Sequence, residues 1–269
     1  MTKVSRDLWR ERMPELPEVE TLSRQLKEKI CGGKILATEV YDDKLAGIKN
    51  LRGRMVSAVE RRGKTVAILL DDGKLVLIHL RMTGRLFWQS DSARPKHSRW
   101  RITFADGNIF LIDPRRFATV GISKNVEDDS AKDIFKEFDL NAFLKNHGSR
   151  RTKVKSLIMD QRAVSGIGNI YACEILHRTG IHPERVAATL TQDDWKKVFR
   201  QAKIVLKTAI KKRGTSISDW RDLYGHKGEN QHELKAYGRE GERCTICGRT
   251  ICRIKQSGRS TFYCPHCQK

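Results

Sequence analysis

The sequence predicts an α+β protein: a first helix, a mostly antiparallel β part, then a helical part closed by a metal-binding terminus. Three observations carry this. Apolar residues recur at helical spacing near the start and again in the second half of the chain. Alternating strand patterns broken by Asp-Gly turns fill the stretch between. Four cysteines fall in two CxxC pairs at the C-terminus.

In order, Val19, Leu22, Leu26 and Ile30 form one helical stripe, stopped by "CGG" at 31–33, with Glu15, Glu18 and Glu20 at its positive end. From residue 34 the period is that of strands. "TVAILLDDGKLVLIHL" reads as a hairpin turning at Asp72-Gly73, and "RWRITFADGNIFLI" as another turning at Asp106-Gly107, with Trp100, Ile102 and Phe104 on one face. "NHGSRRTKVK" at 146–155 is polar and basic and reads as a linker. Helices follow over 153–164, 169–179 and 191–213. The last opens with Thr191 and Asp194 as a capping box, buries a stripe of Trp195, Phe199, Ala202, Leu206 and Ala209, and stops at Gly214. Residues 214–240 read as a long polar loop.

Composition narrows the partners. Lys+Arg 53 against Asp+Glu 32 gives a net charge of +21, spread along the chain rather than held in one tail. Such a field attracts a polyanion, DNA or RNA; the bland alternatives are a basic protein with no specific ligand, or one lying on anionic membranes. No run of eighteen apolar residues exists to span a bilayer, and "MTKVSRDLWRER" lacks the apolar core of a secretory signal. Seven cysteines, four of them clustered, fit a reducing cytosol with one metal site better than a disulfide framework.

Cys244 and Cys247 are separated from Cys264 and Cys267 by sixteen residues (248–263), a spacing suited to two knuckles on one tetrahedral Zn2+, with "QSGRS" as the turn of a ribbon between them. Iron, or two disulfides, is the alternative; Cys252 and His266 are nearby spares. "AVSGIGNIYACEIL" places Asn169 and two glycines at a helix entry, where backbone amides can face a phosphate; a plain helix–helix turn explains it equally. "DPRRF" at 113–117 and Met82 in "IHLRMTG" offer cations and apolar wedges of the kind that open a duplex, though Met82 and Phe117 taken singly read as core. Lys64 in "RRGKTV" reads by itself as a surface lysine. In "MPELPEVE", a Pro14 freed of Met13 would carry a secondary amine that titrates near 8, a nucleophile beside the carboxyl of Glu15.

Together "MPELPEVE", "RRGKTVAILL", "IHLRMTG", "DPRRF", "SGIGNIYACEIL", "GIHPER", "AYGREGE" and "GRSTFYCPHCQK" make the chain from residue 13 onward resemble the bacterial formamidopyrimidine-DNA glycosylase family. The resemblance implies an N-terminal β-sandwich with flanking helices (14–145), a helix–two-turn–helix domain (146–240) and a four-cysteine zinc finger (241–269), with double-stranded DNA in the cleft between them. It implies a monomeric cytoplasmic enzyme that excises oxidised purines, 8-oxoguanine and formamidopyrimidines, then cleaves the strand. Carried over by motif, Pro14 is the Schiff-base nucleophile and Glu15 the proton donor and acceptor. Lys64 matches the lysine of β-elimination and Arg259 the arginine of δ-elimination. His97, Arg115, Arg150 and Asn169 match DNA contacts; Met82, Arg115 and Phe117 match the residues that fill the gap left by a flipped base.

The sequence departs from the family pattern in places. Ala118 follows "DPRRF" where glycine is usual, and Arg81 and Thr83 flank Met82 where glycine and serine are usual. The segment before Met13 is expected to be absent from the mature protein, leaving Pro14 first; if it stays attached, an inactive damage-binding protein is the alternative. The related endonuclease VIII type, directed at oxidised pyrimidines, is the other rival; its start commonly reads "PEGP" and it lacks the full "DPRRF" trio.

Overall fold

The computed structural model describes residues 13–48, 50–124, 132–136, 138–217 and 219–269. The segment expected to be removed lies, up to residue 12, outside them. The chain forms two compact units, one from the described residues of 12–127 and 212–229, the other from those of 128–211 and 230–269.

The first unit is a β-sandwich. Helix α1 (Leu16–Ile30) leads into two four-stranded antiparallel sheets. One has the order β1 (Ala37–Val40), β6 (Ser98–Phe104), β7 (Gly107–Ile112), β5 (Arg85–Gln89); the other β2 (Val56–Arg62), β3 (Thr65–Leu70), β4 (Leu75–His79), β8 (Thr119–Ser123). Both Asp-Gly turns close the hairpins that alternation predicts, β3–β4 and β6–β7. Val19, Leu22, Leu26 and Ile30 of α1 share one core with Val66, Ile68, Val76 and Ile78 of one sheet and Trp100, Ile102, Ile109 and Leu111 of the other. Burial of that apolar surface is what holds helix and sheets together.

Residues 212–229 return to this unit. Leu223 joins its core, and the Leu223 carbonyl accepts from the Trp88 amide at 2.9 Å on edge strand β5. Gln25 of α1 grips the same segment, donating to Asp222 at 3.0 Å and accepting from the Leu223 amide at 3.0 Å. What reads as a loop is therefore fastened at its middle.

The second unit holds α2 (Leu140–His147), α3 (Val154–Ile158), α4 (Asn169–Thr179), α5 (Gln192–Lys211) and the ribbon β9–β10 (Cys252–Gln256, Arg259–Tyr263). The helix expected over 153–164 stops at Ile158. Polar side chains draw the backbone away from helix there: the Arg162 amide donates to Asp160 Oδ1 at 3.1 Å and the Gly166 amide to Gln161 Oε1 at 2.9 Å. The capping box of α5 forms as read, with Thr191 and Asp194 exchanging two 3.1 Å bonds. Phe143 packs edge-on to Trp195 and Phe199, at centroid distances of 5.0 and 4.9 Å.

Buried Glu174 on α4 accepts from the amides of Lys235, Ala236 and Tyr237 at 2.9, 2.9 and 2.8 Å, so one carboxyl folds that loop onto the helix. Burial pushes its pKa up, against those donors. The chain end is pinned just beyond the same helix: the His182 amide donates to the Lys269 carbonyl at 2.8 Å, and the Lys269 amide to the Gly180 carbonyl at 2.9 Å.

Candidate DNA interface and metal centre

The metal centre is the most self-contained site. The Sγ atoms of Cys244, Cys247, Cys264 and Cys267 all lie within 4.8 Å of one another, with Cys244–Cys267 at 3.9 Å and Cys247–Cys264 at 3.5 Å. A tetrahedron with Zn–S bonds of about 2.3 Å spaces its sulfurs about 3.8 Å apart, whereas a disulfide needs about 2.05 Å. All seven cysteines are free thiols, and Cys252 and His266 stand outside the cluster. Burial and the neighbouring sulfurs push the Cys267 thiol above its ordinary value; a divalent cation reverses that by holding thiolates. The donor set therefore fits one structural Zn2+.

Two backbone amides and one histidine ring nitrogen lie against the cluster's sulfurs. The Ile246 amide lies 3.4 Å from Cys244 Sγ and the Cys267 amide 3.5 Å from Cys264 Sγ. The third is His177 Nε2 of α4, 3.3 Å from Cys244 Sγ. His177 is buried and its pKa is lowered by burial, so the ring is neutral and the Nε2–H tautomer suits a thiolate. No motif marks this histidine in the sequence.

Pro14, half-buried, immediately precedes the N-cap of α1, which is buried Glu15. The Glu15 amide donates to Glu18 Oε2 at 2.8 Å in a capping box. Glu18 Oε1 accepts from the Thr215 amide at 2.7 Å, so this carboxylate also holds the returning segment. Lys64 sits in the β2–β3 turn and is buried, not the surface lysine its context suggests. Burial, with the charges of Arg81 and Lys64, lowers the His79 pKa to about 4, so His79 is neutral and its Nδ1 accepts from the Arg81 amide at 3.1 Å.

Met82, His97, Arg115 and Phe117 lie on three loops of the sandwich, and one carboxylate ties these loops together. Buried Asp113 accepts from Thr83 Oγ1 at 2.5 Å beside Met82, and from the Arg115 and Ala118 amides at 3.3 and 2.7 Å on either side of Phe117. Its own amide donates to the His97 carbonyl at 3.0 Å. Arg99 closes the set, bonding Asp113 Oδ2 at 3.0 Å, the Ala118 carbonyl at 2.7 Å and Asp42 Oδ2 at 2.5 Å. Asp42 also pairs with Arg116, whose hydrogen bonds are the main cause of its strongly depressed pKa. Phe117 is 42% exposed with the Arg115 guanidinium 4.6 Å from its ring centroid, and Met82 is half-buried. Phe117 is thus not core. Arg81, His97 and Arg116 hold positive φ of 54°, 65° and 56°, so all three loops carry backbone strain at a non-glycine residue.

In the second unit Asn169 opens α4 and is buried. Its Nδ2 donates to the Ser260 carbonyl of β10 at 2.9 Å, and its Oδ1 accepts from Lys155 Nζ. Lys155 Nζ also reaches Thr261 Oγ1 at 2.8 Å. Arg259 begins β10 and lines a pocket of ≈ 170 Å³ with Lys155, Ser156, Met159 and Gln256. Arg150 is exposed and pairs with Asp160 at 3.3 Å. Sequence motifs mark Asn169 and Arg259 but not Lys155 and Thr261, which lie in plain helix and strand.

A sandwich with strained cationic loops, a helical unit with a buried lysine at a helix entry, and a four-cysteine finger define a zinc-finger DNA-binding protein. Comparison with known proteins gives the family. The formamidopyrimidine-DNA glycosylase N-terminal domain matches residues 13–120, the H2TH domain of the same enzymes 130–220, and the zinc finger found in FPG and IleRS 241–269. The formamidopyrimidine-DNA glycosylase of Carboxydothermus hydrogenoformans is 38% identical over 96% of this chain and 100% of its own length. That of Desulfitobacterium hafniense is 37% identical over 95% and 100%. Among solved structures, a Lactococcus lactis FPG mutant in complex with Fapy-dG containing DNA superposes with a TM-score of 0.86 at 33% identity, covering 95% of this chain and 100% of that one. The Lactococcus lactis Fpg complex with abasic-site DNA gives 0.86 at 33% identity, over 95% and 99%. The chain belongs to the formamidopyrimidine-DNA glycosylase family and is an enzyme, a DNA glycosylase.

Proposed function

We propose that the protein removes oxidised purines, 8-oxoguanine and formamidopyrimidines, from duplex DNA and then cuts the strand through a Schiff base on Pro14. The observation that carries this is the placement of Pro14 next to Glu15 at the N-terminus of α1. Once Met13 and what precedes it are gone, Pro14 nitrogen is a secondary amine with an intrinsic pKa of about 8. The positive end of the α1 dipole disfavours its protonated form, which leaves more free nucleophile at neutral pH.

The amine attacks sugar C1′ as the glycosidic bond breaks, and the base leaves with the bond's electron pair and takes up a proton. The amine then loses its N–H proton and the C1′–O4′ bond opens to give the iminium, O4′ taking its electron pair and a proton from Glu15. Glu15 supplies and removes protons at the sugar. The iminium acidifies C2′–H; losing that proton expels the 3′ phosphate, and a second elimination expels the 5′ phosphate. Lys64 serves the first elimination and Arg259 the second, and water then frees Pro14. Met82, Arg115 and Phe117 fill the space of the extruded nucleotide, offsetting its unstacking. His97, Arg115, Arg150 and Asn169 belong to the DNA-contacting surfaces. In this reading residues 14–145 carry the nucleophile and the first elimination, while 146–240 and the finger at 241–269 grip the backbone, the finger also supplying Arg259 for the second elimination.

Borohydride reduction on duplexes holding 8-oxoguanine or thymine glycol, followed by mapping of the adduct, tests all of this. An adduct through Pro14, formed fastest on the purine lesion, is expected. Preference for thymine glycol would make the enzyme endonuclease VIII-like. Binding without any adduct, on protein whose N-terminus is Met1 or Thr2, would leave it a damage binder.

A further inference from the structure

Helix α5 carries a second basic surface that the lesion chemistry does not use. Its buried face is Trp195, Val198, Phe199, Ala202, Val205, Leu206 and Ala209. On the outer face Lys196, Arg200, Lys203, Lys207 and Lys211 follow one another at spacings of three and four, and all five are exposed. They form a single line of like charge about 22 Å long at 1.5 Å per residue. Lys196 has a carboxylate partner, Asp193 at 3.0 Å. Among the described residues Arg200, Lys203, Lys207 and Lys211 have none.

Like charges three and four residues apart destabilise a helix, and a solvated face normally mixes signs to avoid this. The helix dipole accounts for a cation at Lys211 in the last turn but opposes one at Lys196 in the first turns. An external polyanion would relieve the repulsion. A duplex presents one charge per about 1.7 Å of axis, so about 13 phosphates lie within the length of this line.

We propose that the outer face of α5 is a second, sequence-independent binding site for the phosphate backbone of duplex DNA, able to hold another DNA segment while the lesion site is filled. The inference rests on DNA being the partner and not on the Schiff-base chemistry. Its use is transfer between segments during the search for damage.

The test saturates the protein with a short duplex carrying one dye and a chemically reduced abasic site that has no C1′ aldehyde to react. It then titrates an undamaged duplex carrying another dye, and follows ternary complexes by two-colour sedimentation. The wild type is expected to bind both. The variant R200Q/K203Q/K207Q/K211Q is expected to bind the second duplex at least about tenfold more weakly. Its log K against log salt slope for that duplex falls by up to about 3.6, at about 0.9 for each phosphate no longer neutralised. The matching Lys→Arg variant retains binding. Excision from a lesion duplex at saturating enzyme stays at the wild-type rate, and the glutamine variant melts no lower than wild type. Absence of a ternary complex with wild type, equal second-duplex binding by the glutamine variant, loss of excision in it, or preference of the stripe for polyglutamate over duplex would each overturn the proposal. Failure to form a borohydride adduct bears on the Schiff-base reading alone.

Discussion

At the scale of single residues, the sandwich loops are governed by groups that act on their neighbours. Asp113 belongs to a motif whose arginines and phenylalanine stand out in the sequence, yet the aspartate is what joins the Met82 loop to the Phe117 loop. Thr83→Val keeps the shape and removes the donor, leaving Asp113 Oδ1 with only the longer 3.3 Å bond from the Arg115 amide. Loss of the short hydrogen bond to a buried carboxylate oxygen costs about 1–3 kcal/mol. Thr83→Val is therefore expected to lower stability by that order and to slow excision of a paired lesion, with Thr83→Ser restoring both. Urea melts and single-turnover rates check it, and a valine variant with wild-type behaviour in both refutes it.

His79 makes the pH prediction. Its folded pKa of about 4 lies below the ordinary value of about 6.5. Between those values the unfolded chain binds the extra proton, so stability falls as pH drops from 6.5 to 4 and is unaffected above. The shift sets a ceiling of about 3 kcal/mol at about 1.36 kcal/mol per unit. His79→Asn keeps an acceptor for the Arg81 amide without the titration. The difference in unfolding free energy between wild type and this variant should change across pH 6.5 to 4; a constant difference counts against it.

At the scale of elements, legibility followed periodicity. The stripe of α1, the two Asp-Gly hairpins, the capping box of α5 and the finger ribbon were readable because each is fixed by residues near one another in sequence. The early end of α3 was not, since apolar spacing continues past Ile158 while Asp160 and Gln161 capture the amides. Nor was the return of 212–229, which depends on pairings with Gln25, Trp88 and Glu18 far away along the chain. Gly214 shows how tightly that return is built. It holds φ of +81°, and a Cβ there would lie 2.7 Å from Glu18 Oε1. Gly214→Ala is expected to displace the Glu18 carboxylate from the Thr215 amide and, with the strained backbone, cost more than about 1 kcal/mol. Because Glu18 also caps α1 beside Pro14, activity should fall further than the melting temperature alone explains. An alanine variant with full activity and an unchanged melting curve would contradict the arrangement.

At the scale of the whole molecule, the zinc site reaches beyond the finger. Its cysteines were legible from spacing, but the consequence of holding them was not, because it runs through pairings between distant segments. The ribbon that Cys264 terminates supplies the Ser260 carbonyl to Asn169 and the Thr261 hydroxyl to Lys155. His177 on the same helix as Asn169 faces Cys244. A finger this small has little core of its own, so metal binding supplies its folding energy. Removing Zn2+ should therefore unfold the ribbon and release Asn169 and Lys155 from their partners, even though neither touches the metal. The sandwich keeps its own core and the anchored 212–229 segment, and has no such dependence. Chelation under reducing conditions is expected to abolish tight DNA binding while hydrogen exchange in β3, β4, β6 and β7 stays slow and exchange in β9, β10 and the first turn of α4 becomes fast. Protection retained in β10 after metal loss would show that the ribbon stands without zinc. Loss of protection in β6 and β7 as well would show that the two units do not unfold separately.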